Sequence, residues 1–459
     1  MQCEARMATT LQELMTTIAD RVARETKVII RKREFSGSSL LQTLVFSLFD
    51  VRDFTYAGMA HQAAIAGAEV STQAVYQRMT EPVLAFLKQM LCKAGETLVQ
   101  SRPREIELLD RFSGGTHLID STVINIPDEF AEEYPACGGD RGQSAASLKV
   151  QVRIELRTGC CEVQLEAGRH ADVSSSIQDL PLPPGSLRLA DIGYLSTERL
   201  KSIGENKSEF ITRMPVGMKL YVQTEEGEEG LAGKALFDWF RKKCPKSGYL
   251  VIEENVLAGA DSRLPCRLVA IRAPDDVYRR RIASLEKDAK RRGRSVSAEQ
   301  RAGARWTMFL TNIPSDKATW KEIVILYRMR WQIELLFKLW KTKKNLDVAK
   351  LRQQFPSPLR CMIGIYAKLF GVLIRHWTLL ATCWHIPDLS FTRAARLINK
   401  YMPTLAILMN SLPALTEILE KLTKAFAFAP RLDKRRKEPS SHQLLTNAEH
   451  LSWGLESVS

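Results

Sequence analysis

The chain has 459 residues, 45% of them hydrophobic and 26% charged, with a formal net charge of +14 and a pI near 9.3. That length is enough for a full core and about two to four domains, and the basic excess calls for a polyanionic partner, either nucleic acid or an anionic membrane surface. The most apolar stretch, around 363–384, is interrupted by Lys368, Arg375 and His376, so it reads as a buried or interface helix and not as a bilayer span.

The nine Cys include no C-x-x-C pair and the seven His are scattered, which argues against zinc and fits reduced thiols in a cytosolic protein. Cys160 and Cys161 read as structural neighbours on opposite faces of a strand. No apolar run follows a basic start, as a secretory signal would require. The expected location is the cytoplasm.

Residues 1–100 read as helical. Leu11, Leu14, Met15 and Ile18 keep helical spacing, and Arg31 to Arg33 close that segment with positive charge. From Phe54 to Met79 a helix, a turn at Gly67 and a second helix starting at Ser71 are compatible with either a helix-turn-helix DNA reader or a plain packing unit.

From His117 the pattern changes to strands. His117 to Ile126 is a β-branched run containing Asp120, and Lys149 to Leu156 alternates, as does Cys161 to Leu165. Leu187 to Tyr194 is a strand that carries Asp191 and breaks at Gly193, a helix starts at Ser196, and Glu209 to Arg213 is a fifth strand. Three meandering strands followed by alternating helices and strands predict an α/β chain with a ribonuclease-H-like core, first part 101–213. A mainly β insertion over 214–305 interrupts that core, which resumes over 306–350. Between Arg279 and Arg305 the insertion holds 10 Lys or Arg against 3 Asp or Glu, a concentration better suited to phosphate contact than to a merely solvated face. An amphipathic membrane-binding helix is disfavoured there because few residues are apolar. Residues 351–430 are expected to be helical, and 431–459 to form a basic, polar, mobile tail.

The run from Ile325 to Lys341 carries most of the chemical information. On one continuous helix Tyr327, Arg330, Glu334 and Lys341 fall at about 0°, −60°, −20° and −40°. Leu326, Met329, Ile333, Leu336, Phe337 and Trp340 lie beside that stripe, from about −80° round to 180°. A solvated salt-bridge stripe is the ordinary reading of such a helix. Two isolated acids upstream point elsewhere. Asp120 inside an apolar strand and Asp191 at the end of another are costly unless paired or bound to metal, and with Glu334 they make three acids for one pocket. Hard oxygen ligands suit Mg²⁺, with Mn²⁺ able to substitute, and two ions about 3.5–4 Å apart support in-line attack at phosphorus.

The spacing of Tyr327, Arg330, Glu334 and Lys341 resembles the Y-R-E-K signature of bacterial insertion-sequence transposases of the DDE class, and the likeness extends over most of the chain. The resemblance implies that Asp120, Asp191 and Glu334 form the metal-binding catalytic triad. It further implies that Tyr327, Arg330 and Lys341 contact phosphates of double-stranded DNA at the element ends. Arg330 suits bidentate phosphate bonding, Lys341 acts as a point charge and Tyr327 donates one hydroxyl bond.

Some relatives stack a flipped base on Trp near this position, a role open to Trp306 or Trp331, although burial is the commoner fate of Trp. Arg213 is a further candidate DNA contact. The resemblance also implies a homodimer in the DNA complex, with the C-terminal helices as the contact. Two other readings fit the residues: a ribonuclease-H-like nuclease without strand transfer, and a catalytically silent DNA-binding regulator.

Overall fold

The computed structural model describes residues 2–451 except 32–33, 48, 50–54, 98, 100, 138–143, 226, 245–249, 341–347, 387–388 and 429–438. Phe54, Arg33, Lys341 and the Arg431 to Lys437 run therefore lie outside the described residues.

Ten strands build one mixed sheet: β1 Thr116–Asn125, β2 Ser147–Glu155, β3 Cys161–Ala167, β4 Leu187–Ala190, β5 Glu209–Arg213, β6 Leu220–Thr224, β7 Gly227–Leu231, β8 Val251–Ala258, β9 Leu264–Arg272 and β10 Trp306–Thr311. Their order is β3-β2-β1-β4-β5-β10-β9-β8-β6-β7. β1, β2 and β3 meander antiparallel, β4 and β5 run parallel to β1, and every pairing from β5 outward through β10 is antiparallel. The short 214–305 strands do not form a sheet of their own. β10 sits between β5 and β9 and joins them to the first five strands in one ladder.

The helices that matter for the site are, in chain order, α1 Tyr56–Ile65, α2 Thr72–Arg78, α3 Asp275–Arg291, α4 Trp320–Arg328, α5 Trp331–Trp340, α6 Pro358–Thr382 and α7 Ser441–Thr446. Alternation in β1 and β2 places Leu118, Ile124, Leu148, Val150, Val152 and Ile154 in the main core, on the face that α5 covers. A second core under the outer strands gathers Phe210, Leu236, Phe237, Phe240, Leu268 and Trp306.

The opposite face of β1 and β2 departs from expectation. Lys149, Gln151 and Arg153 alternate with apolar residues as solvent-facing positions would, yet they are 6%, 0% and 5% exposed. Turns from Asp172 to Tyr194 cover them, and only a small apolar group, including Ile119, Ile177 and Tyr194, lies beneath.

Three other regions bear on function. Thr55 and Ser71 cap α1 and α2, each hydroxyl accepting an amide proton at 3.1 Å, and Gly67 supplies the turn between them at φ 81°. Helix α6 is long and apolar enough to cross a membrane, but all of its apolar window is buried inside the protein. Residues 440–451, expected within a mobile tail, are instead docked: α7 packs on α4, with Leu444 buried, while Gln332 donates to Ser441 at 2.9 Å. The Leu side chains anchor a segment whose Ser, Asn and His content suggested otherwise.

Candidate active site

Asp120 lies in the middle of β1, opposite Val152 of β2, on the face covered by α5. Asp191 is the first residue past β4, extended at φ −73° and ψ 167°, before the turn Ile192–Tyr194. Parallel pairing of β1 with β4 aligns Ile119 with Ala190, which carries the two acids along neighbouring strands to the same level of the sheet.

Glu334 comes from α5, but not on the uninterrupted helix expected. The helix ends at Arg328 and restarts at Trp331, with Met329 and Arg330 in a tight turn. There Arg330 N–H donates to the Tyr327 carbonyl at 3.0 Å and Ile333 N–H to that of Arg330 at 3.1 Å, an i to i−3 pattern. Neither glycine nor proline causes the break. It coincides with the place where the Arg330 side chain turns toward the acids. Its guanidinium donates to Asp120 Oδ2 at 2.9 Å and to Glu334 Oε1 at 2.9 Å. The Tyr327 hydroxyl faces Asp191 Oδ1 at 3.4 Å, and its ring packs on Phe309 at 5.0 Å between centroids.

The electrostatics follow from this crowding. Burial pushes the Asp120 carboxyl up to about 6, helped by neighbouring Asp191 and Glu334 and opposed by Arg330 and the Ser121 amide. Burial disfavours the Arg330 charge, yet Tyr327 and the three acids outweigh it and hold the guanidinium above its ordinary value. Burial, reinforced by Asp191, raises the Tyr327 phenol.

These groups line a cleft of about 1360 Å³, whose lining also includes Arg213, Trp306, Trp331 and, from α3, Val277, Arg280, Arg281, Ser284 and Leu285. The two indoles are not equivalent. Trp306 is 3% exposed and packed on Phe240, whereas Trp331 is 37% exposed with Lys338 Nζ 5.3 Å from its ring. Lys341 lies outside the described residues.

Sequence reasoning missed the polar layer behind the acids. Asp172 Oδ1 accepts from Ser121, Lys149 and Gln151, each at 3.1 Å, and the Tyr194 hydroxyl donates to Gln151. Ser121 adjoins Asp120 and its amide donates to that carboxylate at 2.8 Å. Tyr194 belongs to the turn that follows Asp191. The layer thus ties together both acid-bearing segments. Its only trace in the sequence is polar residues at every second position of β2, the pattern of any half-exposed strand.

Among the described residues no group of three His, Cys, Asp or Glu closes on one point as a formed ion site would. The donor set nevertheless suits a hard divalent cation: it is all carboxylate oxygen, its members raise the Asp120 pKa, and a positive charge already stands between Asp120 and Glu334 in the form of Arg330.

Residues 113–360, more than half of the chain, match the family model described as a transposase DDE domain. The chain is similar to the transposase for insertion sequence element IS231F of Bacillus thuringiensis subsp. israelensis, with 24% identity over 89% of this chain and 87% of the relative. The transposase for insertion sequence element IS1151 of Clostridium perfringens is 24% identical over 77% and 76%, and that for IS231C of Bacillus thuringiensis subsp. berliner 22% over 90% and 87%. Divalent-metal dependence accompanies such a domain in general. With Asp120, Asp191 and Glu334 lining one cleft inside the matched segment, the chain belongs to the DDE transposase family and is an enzyme of DNA cleavage and transfer.

Proposed function

We propose that this transposase binds the terminal inverted repeats of its own insertion sequence, cuts them, and joins the freed 3′ hydroxyls to target DNA. The observation that carries the reading is the meeting of Asp120, Asp191 and Glu334 with Tyr327 and Arg330 in one cleft. The order β3-β2-β1-β4-β5, with the first three strands antiparallel and the last two parallel to β1, supports a ribonuclease-H-like catalytic core.

Asp120, Asp191 and Glu334 are the residues that would hold Mg²⁺, or Mn²⁺ in its place. When bound, the metal supplies Lewis-acid activation of the attacking oxygen, water first and a DNA 3′ hydroxyl afterwards, and stabilises the leaving oxygen. The protein's own part is to orient and neutralise. Arg330 offsets the acids in the DNA-free chain and can exchange its carboxylate partners for two oxygens of an incoming phosphate. Tyr327 adds one hydroxyl donor, Lys341 a further charge, and Arg213 a cation on the cleft wall. Of the two indoles, Trp331 has the exposed surface that stacking of an unpaired base needs, so it is preferred over Trp306.

On α2, Thr72, Gln73 and Gln77 are exposed and neutral, the chemistry of a helix that reads base edges, so α1 and α2 are assigned to end recognition. Paired ends call for a homodimer in the DNA complex.

The test is cleavage of a duplex carrying the element's own end with Mg²⁺ present. Asp191→Asn or Glu334→Gln should lower cleavage by about a thousandfold, several kcal/mol of transition-state stabilisation, while end binding persists. Cleavage without any strand-transfer product would make the chain a nuclease. End binding without cleavage in the parent, unchanged in both variants, would make it a silent DNA-binding regulator.

A further inference from the structure

Half of the net charge falls between Arg279 and Arg305, and α3 shows how it is distributed. Much of it is internally committed. Arg281 donates to the carbonyls of Ala304 and Trp306, both at 3.2 Å, and to the Thr307 hydroxyl at 2.7 Å, which pins the helix to β10. Arg280 pairs with Asp276, Arg291 and Arg292 with Asp288, Arg301 with Glu286, and Arg305 with Asp275. Arg279, Lys287, Lys290 and Arg294 are exposed and form no ion pair with a described acid.

Their positions are not random around the helix. With Val277 at 0°, the cleft-lining residues Arg280, Arg281, Ser284 and Leu285 span about −60° to +80° at ~100° per residue. On the same scale Lys287 falls near −80°, and Lys290 and Arg279 near −140° and −160°. Gly293, at φ 62°, ends the helix and returns the Arg294 amide to the Ala289 carbonyl at 2.9 Å, so Arg294 extends the basic surface past the last turn. The ridge starts at the rim of the catalytic cleft and runs round to its outer side.

We propose that this outer ridge of α3 holds the target duplex, and that it does so without regard to base sequence. The inference rests on the reading of the cleft as the transposase active site. A duplex entering strand transfer must present one phosphate inside the cleft while its body lies outside, and a ridge from rim to outer face follows that path. The same arc also holds exposed Ala283 and Asp276, the latter paired with Arg280, and it presents none of the Gln and Thr side chains exposed on α2. Point cations bind phosphates and carry no base code, which suits a partner of arbitrary sequence and not an element end.

The test compares the full-length protein with the triple variant Arg279→Ala, Lys287→Ala, Lys290→Ala. Binding to a random-sequence duplex is measured across a salt series, together with cleavage of the cognate end and strand transfer into a plasmid. The ridge predicts that the log–log salt slope shrinks by about 2 to 3, close to 0.9 per lost phosphate contact. It also predicts that strand transfer falls at least tenfold and that end cleavage stays within twofold. A charge-keeping triple, Arg279→Lys, Lys287→Arg, Lys290→Arg, should behave as the parent, and unfolding midpoints should match in all three proteins. An unchanged salt slope, or end cleavage that falls as far as strand transfer, overturns the proposal. Absence of cleavage in the parent protein would instead count against the reading of the cleft itself.

Discussion

Arg330 and Asp120 are 210 positions apart in sequence and 2.9 Å apart in the fold, and the same guanidinium holds Glu334 at 2.9 Å. A residue proposed to contact DNA phosphate is thus, in the DNA-free chain, the counter-charge of two acids of the cleft. Removing it has two opposite consequences. Arg330→Ala should lower end cleavage by at least a hundredfold, since the bidentate phosphate contact proposed for it is lost. Without DNA it should bind Mn²⁺ about tenfold more tightly than the parent, because each charge-assisted bond that competes with metal is worth about 1.5–3 kcal/mol. Calorimetric titration of both proteins measures the second effect. Equal Mn²⁺ affinity would show that the guanidinium does not compete with metal.

Tyr327 separates hydroxyl from ring. Tyr327→Phe keeps the packing on Phe309 and loses only the hydroxyl facing Asp191 at 3.4 Å. Its unfolding free energy should change by less than about 1 kcal/mol, whereas end cleavage should fall about tenfold. A drop in stability without a drop in cleavage would make the hydroxyl a structural group.

The link from Arg281 to β10 is a stability device. Arg281→Met keeps the length of the side chain but strips three acceptors, Ala304 O, Trp306 O and Thr307 Oγ1, of their donor. Chemical denaturation should register a loss of about 2–4 kcal/mol. Amide exchange should rise first in α3. Uniform exchange along the chain would contradict a local anchor.

His376 sets a pH dependence of stability. It is fully enclosed in α6 between Trp340 and Trp384, bonded through Nε2 to the Gly159 carbonyl, and burial pushes its pKa down to about 4. The unfolded imidazole takes up a proton near pH 6.5 and the folded one does not. Stability is therefore fully present above pH 6.5 and is lost as pH falls toward 4, by at most about 3 kcal/mol. His376→Gln should flatten the fall in Tm over that interval. A parent curve already flat between pH 6.5 and 4 would disprove the effect.

Parts of the site were legible in the sequence for physical reasons. Asp120 and Asp191 stand out because an acid among β-branched residues has no cheap explanation, and Glu334 because of its fixed offsets from Tyr327 and Arg330. The interruption at Met329 and Arg330 was not legible, since no breaker residue marks it and it coincides with a long-range ion pair. The buried faces of Lys149, Gln151 and Arg153 were equally hidden: a strand covered by polar turns has the same alternation as one covered by water. The commitment of Arg281 to backbone carbonyls, and of other cations in 279–305 to acids, depends on where β10 returns, which no local pattern records.

The placement of β10 has a consequence for how the molecule can be built and cut. Its hydrogen bonds run to β5 on one side and β9 on the other, although 92 residues separate the end of β5 from its start. Deleting the intervening segment would strip one whole edge of β10 and take away a wall of the cleft together. The outer strands are thus not a detachable accessory. Loss of their pairing would leave raw sheet edge beside the chemistry, and the protein should melt there as one cooperative body.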